Sequence, residues 1–276
     1  MKNKGNLYIL FTAFLWSLGG IFIKVIPLNA FSINGLRSLI ALIFYFVYDR
    51  SCKIKVNKYV VMAGLCLVGT NTLYVLANKM TTAANAIVLQ YTAPIFVLLL
   101  QSLYYKKLPS KEKVGIILLA FCGMVIFFFD QMDSGMLIGN IIAILAGVCF
   151  SGVFFINSLE GASSQDASKF AFLTSFIISI PFYKDVHLLT PISFASLLAL
   201  GIFQVGLAYV FFSKGIKLTS PVNSSLLSLV EALLNPVWVF MFVKEVPSMY
   251  AFIGGGIILF AIVCNILLDH SQSVTK

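Results

Sequence analysis

Residues 81–110, TTAANAIVLQYTAPIFVLLLQSLYYKKLPS, align without a gap on residues 219–248, TSPVNSSLLSLVEALLNPVWVFMFVKEVPS. Thr81/Thr219, Asn85/Asn223, Leu89/Leu227, Lys106/Lys244, Pro109/Pro247 and Ser110/Ser248 are identical. Each stretch is an apolar run long enough to cross a bilayer as a helix, closed by a lysine and a Pro-Ser turn. A second match lies upstream. GNLYILFTAFLWS (5–17) and GNIIAILAGVCFS (139–151) share their Gly-Asn start and their last serine. We read two copies of one unit.

The rest of the chain agrees with a membrane fold. Of 276 residues, 60% are hydrophobic and 11% charged, and the mean hydropathy is +0.99. A soluble domain carries about 25% charged residues. Apolar runs recur at 6–24, 30–48, 58–77, 82–104, 112–129, 137–157, 168–183, 192–213, 219–243 and 249–268. The reading is an all-α integral membrane protein of ten transmembrane helices. Residues 1–134 form the first five-helix repeat and 135–276 the second. An odd number of spans per copy inverts the second copy in the membrane. Inverted repeats recur in secondary transporters, with the substrate site near the midplane.

A net charge of +9 would suggest nucleic acid in a soluble protein. Here the basic residues sit in short loops, and no basic domain exists to hold a nucleic acid. With a cytoplasmic N-terminus, one side holds fourteen: Lys2, Lys4, Arg50, Lys53, Lys55, Lys58, Lys106, Lys107, Lys111, Lys113, Lys169, Lys214, Lys217 and Lys276. The other side holds four, Lys24, Lys79, Lys184 and Lys244, with Arg37 left inside span two. That bias places both termini in the cytoplasm of a multi-pass protein of the cytoplasmic (inner) membrane. The basic N-terminus runs into an apolar stretch too long for a signal peptide, so it reads as the first span. The five cysteines form no C-x-x-C pair, and we expect neither a disulfide nor a metal site from them.

The chain resembles the EamA-type members of the drug/metabolite transporter superfamily. The residues that carry the resemblance are Pro94 and Pro236 inside spans four and nine, Glu245 at the end of span nine, and the TTAANA and TSPVNSS starts. It departs at Lys107, where the family's end-of-span glutamate would stand, and its two prolines are four positions apart in the repeat register. The resemblance implies the ten-span fold, a transporter, and export of amino acids or other metabolites.

Polar residues inside the spans are the candidate site. Ser224, Ser228, Glu231, Asn235 and Trp238 are spaced four, three, four and three, so one helix would carry them on one face. Glu231 lies 13–14 residues from Lys217 and Lys244, near the midplane. Three readings are open for it: a protonated structural group, a permanent partner of Arg37, or the wall of a wet cavity that handles a cation or proton. Span four adds Gln90 and Tyr91, span three Asn71 and Tyr74, span one Trp16, and span two Arg37, an anion anchor if it faces the cavity. Gln204 and Tyr209 in span eight and Asn157 at the edge of span six complete the polar set, and Phe211 and Phe212 are candidates for the wall. Pro94 and Pro236 each free a carbonyl and are candidate hinges. The substrate-binding set is thus Glu231, Asn235, Ser228, Trp238, Gln90, Tyr91, Asn71, Tyr74, Trp16 and Arg37.

The chain has no phosphate-binding G-x-x-x-x-G-K-[ST] loop, so gradients must drive any transport. We expect a secondary transporter for an amino acid or a related zwitterionic or cationic solute, working by alternating access, with Glu231 pointing either to a cationic or zwitterionic substrate or to proton exchange. The alternative is a lipid-linked metabolite flippase of the same superfamily. An intramembrane enzyme would need a G-x-S-x-G, an H-E-x-x-H or a buried Asp pair, and none is present. No cofactor is expected. The expected partners are a small-molecule substrate and the lipid bilayer, with the protein a monomer or homodimer.

Overall fold

A computed structural model describes residues 2–132, 137–243 and 248–274. The α-helices among them are α1 (Lys2–Ser17), α2 (Gly19–Lys24), α3 (Ala30–Asp49), α4 (Lys58–Met80), α5 (Ala83–Gln90), α6 (Ala93–Tyr105), α7 (Lys111–Phe127), α8 (Leu137–Ser158), α9 (Ser164–Ser179), α10 (Pro191–Ala199), α11 (Ala208–Gly215), α12 (Pro221–Leu227), α13 (Val230–Val243) and α14 (Met249–Val274). A 3-10 segment (Ile180–Leu188) extends α9, and a π-helical segment (Leu200–Leu207) joins α10 to α11. Polar side chains in the loops start the helices: the side chains of Asn29, Asn57, Thr82, Ser110, Ser163, Thr190 and Ser220 each accept from a backbone N–H three residues on.

Six helical stretches among the described residues are long and apolar enough to cross a membrane: Ala30–Asp49, Lys58–Ala77, Ala84–Tyr105, Leu137–Ser158, Pro191–Gly215 and Met249–Asp269. Four of the ten expected spans are shorter or interrupted. The run at 6–24 turns at Leu18, between α1 and α2. Helices α7 and α9 have 17 and 16 residues. The run at 219–243 divides into α12 and α13.

That last division corrects the single polar seam expected on span nine. Around Ser228 and Leu229 the backbone closes three-residue turns: Leu229 N–H donates to the Leu226 carbonyl, Glu231 N–H to Ser228 and Ala232 N–H to Leu229, at 3.0–3.1 Å. Ser225 and Ser228 hydroxyls donate to the carbonyls of Val222 and Ser225, which bends a helix. The first copy breaks at nearly the same register, at Tyr91 and Thr92 between α5 and α6. There Pro94, in the first turn of α6, cannot donate to the Gln90 carbonyl. In the second copy the break precedes Pro236 by seven residues or more, so serine turns rather than that proline mark it.

The helices interleave. Helix α1 packs on α11, α12 and α13, while α8 packs on α4, α5 and α6. One contact motif recurs at both junctions. Asn6 Oδ1 accepts from Thr219 Oγ1 at 3.1 Å and from Asn223 Nδ2 at 2.6 Å. Asn140 Oδ1 accepts from Thr81 Oγ1 at 2.8 Å and from Asn85 Nδ2 at 3.3 Å. The glycine before each asparagine permits the approach. A Cβ on Gly5 would lie 2.8 Å from Leu218 Cβ, and one on Gly139 would lie 2.5 Å from the Met80 carbonyl oxygen.

Candidate functional site: a charged cavity between the helix breaks

A cavity of about 190 Å³ opens among α1, α3, α4, α5, α8, α13 and the π-helical segment. Its wall includes Trp16, Arg37, Asn71, Tyr74, Gln90, Tyr91 and Glu231, seven of the ten residues expected at the site. Ser17, Thr70, Phe150, Gln204 and Tyr209 also line it. The cavity runs toward the end of the bundle where α1 gives way to α2 and α3 begins. Ile23, on that side of the wall, is 40% exposed. At the opposite end the aromatic rings of Trp16, Phe150, Phe154, Phe172, Tyr209 and Phe212 pack with centroids 4.7–5.9 Å apart and close it.

The helix breaks place the polar groups. Tyr91 follows the last residue of α5, and its phenol donates to Glu231 Oε2 at 2.7 Å. Glu231 sits in the first turn of α13, where the helix dipole favours a carboxylate. Its other oxygen accepts no hydrogen bond among the described residues. Gln90 Oε1 is buried and also lacks a partner among the described residues. Unpaired acceptors on a cavity wall are costly in a low-dielectric interior unless a ligand or water satisfies them.

Arg37 faces the same cavity from α3. Its Nε and Nη2 donate to Asn34 Oδ1 at 3.3 and 2.9 Å, and its Nη1 donates to Gln204 Oε1 at 3.2 Å. Arg37 therefore does not form the permanent ion pair with Glu231 that was one sequence reading. The ion pairs among the described residues are Lys113–Asp269 and Lys169–Asp49.

Other expected residues lie elsewhere. Ser228 is 1% exposed and spends its hydroxyl on the Ser225 carbonyl. Trp238 turns to α1, where Nε1 donates to Ser17 Oγ at 2.9 Å and the ring packs edge-on to Phe14. Asn157 donates to the Val153 carbonyl inside α8. Phe212 belongs to the aromatic floor, and Phe211 packs on Tyr8 and Phe11 rather than on the cavity. Asn235 and Pro236 are helical residues of α13 whose side chains lie outside those described, and Glu245 lies outside the described residues altogether. Asn34 was missed as a candidate. Its spacing of three residues from Arg37 on one helix was the available signal.

The EamA-like transporter family matches the chain twice, over residues 3–129 and 137–267. The chain belongs to the EamA-like transporter family. It is accordingly a multi-pass membrane transporter of the drug/metabolite transporter superfamily, not an enzyme, and its two matches are the two copies of the repeat. An uncharacterised transporter of Archaeoglobus fulgidus is 25% identical over 290 residues, across 98% of this chain and 100% of that protein. A crystal structure with 18% sequence identity superposes with a TM-score of 0.83 over 99% of both chains, a likeness of fold.

Proposed function

We propose that this EamA-family member is a secondary transporter for a small organic metabolite, an amino acid or a related zwitterionic or cationic solute. It carries that solute out of the cell by alternating access and exchanges it for a proton at Glu231. In this reading the interrupted and short helices complete ten spans in two inverted five-span repeats. Both termini are cytoplasmic and the protein resides in the cytoplasmic membrane.

The observation that carries the reading is the separation of charge on one cavity wall. Glu231 is bonded to Tyr91 and Arg37 to neutral amides, so neither charge neutralises the other by contact. A buried carboxylate without a cationic partner is expensive in a bilayer, and it is relieved by a bound cation or by a proton. Exchange of one for the other across the membrane is proton-coupled transport. In this reading the opening defines one state of the cycle. The cavity runs toward the end opposite the basic loops, which the positive-inside rule puts outside, with its aromatic floor toward the cytoplasm. Breaks at matched register in α5–α6 and α12–α13 supply bending points beside the site for reopening on the other face.

The test is a panel of amino acids, amines and organic acids in proteoliposomes, with and without an imposed pH gradient. The expected result is uptake of cationic or zwitterionic solutes against a proton gradient of opposite sense. Transport confined to organic acids, or indifferent to the gradient, would reject it.

A further inference from the structure

We infer that Arg37 is a carboxylate anchor, held in position by Asn34 and Gln204, and that this trio selects solutes with an anionic group over amines that lack one. The inference rests on the transporter reading above and narrows its substrate class.

Both partners of Arg37 are amides. They orient the guanidinium without neutralising it, so its charge is available to a ligand. Asn34 reaches it from the preceding turn of α3. Gln204 reaches it from the second half of the chain, on the π-helical segment Leu200–Leu207. Such segments often mark functional positions because they re-aim side chains within a helix. This one lies hard against α3 at the anchor. A Cβ on Gly201 would sit 2.5 Å from Ile40 Cβ and 3.0 Å from the Arg37 carbonyl oxygen. The close approach brings Gln204 within reach of the guanidinium.

Of the five N–H donors of an arginine, three are engaged among the described residues, which leaves one on each terminal nitrogen. Arg37 lines the cavity. Two donors on a planar cation suit the two oxygens of a carboxylate. Glu231 on the same cavity supplies the opposite pole for an ammonium group. The charge is not repeated by the symmetry: Ala93 stands where Glu231 stands in the aligned copies. An amine engages only the Glu231 pole, whereas an amino acid engages both. Gln204 and Asn34 act through Arg37 and are positioning residues.

The experiment uses the reconstituted full-length protein and matched probes that differ by one carboxylate: leucine with isoamylamine, tyrosine with tyramine, lysine with cadaverine. The expected result is that, for the pair that fits, the amino acid is preferred by at least about tenfold in binding and in uptake. Gln204→Leu reduces that preference. Gln204→Glu brings it close to one, because the new carboxylate occupies the anchor. Arg37→Lys also reduces it while keeping the charge, since a point charge lacks the fork. Thermal unfolding in detergent accompanies each variant. A lower Tm with an unchanged preference would make the trio structural and overturn the proposal. A wild type that takes the amine as readily as the amino acid would also overturn it and leave the transporter reading standing. If no member of any pair binds or moves, the zwitterion reading fails and the anchor fails with it.

Discussion

The phenol of Tyr91 donates to Glu231 Oε2 at 2.7 Å, a bond from the helix break in the first copy to the first turn of α13 in the second. It holds the carboxylate on the cavity wall. A hydrogen bond to a charged group contributes about 1.5–3 kcal/mol. Tyr91→Phe should therefore weaken binding of a cationic or zwitterionic solute at neutral pH by roughly tenfold. The ring itself is 5% exposed and packs on Phe150, so the fold should persist. Equilibrium binding with a radiolabelled solute measures the loss, and an unchanged affinity would remove Tyr91 from the site.

Asn6 and Asn140 hold equivalent junctions, and their loss should be felt as instability. Replacing either with alanine removes the acceptor shared by a threonine hydroxyl and an asparagine amide, at about 1–3 kcal/mol, although each asparagine amide keeps its bond to the threonine four residues before it. Asn223 keeps its bond from Asn265, at 2.7 Å, so part of the Asn6 junction survives in Asn6→Ala. Gly5→Val and Gly139→Val should be worse, because the nearest atoms include backbone. Thermal unfolding of the purified protein reports both sets. If the valine variants matched the wild type, the close approach of α1 and α8 to the opposite copy would be wrong.

Lys169 is 2% exposed, and its Nζ meets Asp49 Oδ2 at 2.5 Å between α9 and the end of α3. Breaking a buried pair from one side leaves a bare charge, at about 3–5 kcal/mol. Asp49→Asn should destabilise the protein by that order, and Asp49→Leu combined with Lys169→Met should recover much of the loss. Chemical or thermal unfolding of the single and double variants decides it. A double variant no better than Asp49→Asn would mean that the two charges act independently.

Much of this was legible in the sequence, and the particular residues say why. Thr81, Asn85, Thr219 and Asn223 are identities between the copies. They are the residues that grip Asn6 and Asn140, which were matched to each other at the starts of the copies. Contacts made alike in both copies leave matching residues in both. The cavity residues of span four and Glu231 were found because a polar group inside an apolar run has few places to go. What was not legible depends on tertiary contact. Ser-Leu at 228–229 reads as ordinary helix, and a smooth 3.6-residue period carried Ser228 and Trp238 onto the Glu231 face. The turn between α12 and α13 ends that period. The π-helical segment likewise has no periodicity of its own, and Gly201 within it packs closely on α3.

The central claim is that a proton and the cationic group of the solute compete for Glu231. It is tested most directly by the pH dependence of solute binding to wild type and Glu231→Gln, in one detergent and with one solute. A competing proton weakens binding as pH falls, because only the carboxylate form takes the solute. The account predicts that wild-type affinity drops toward acid pH with a limiting slope of about tenfold per pH unit. It predicts that Glu231→Gln binds at least about tenfold more weakly than wild type at high pH and shows no such slope. A Glu231→Gln protein with wild-type affinity and the wild-type pH profile would contradict it.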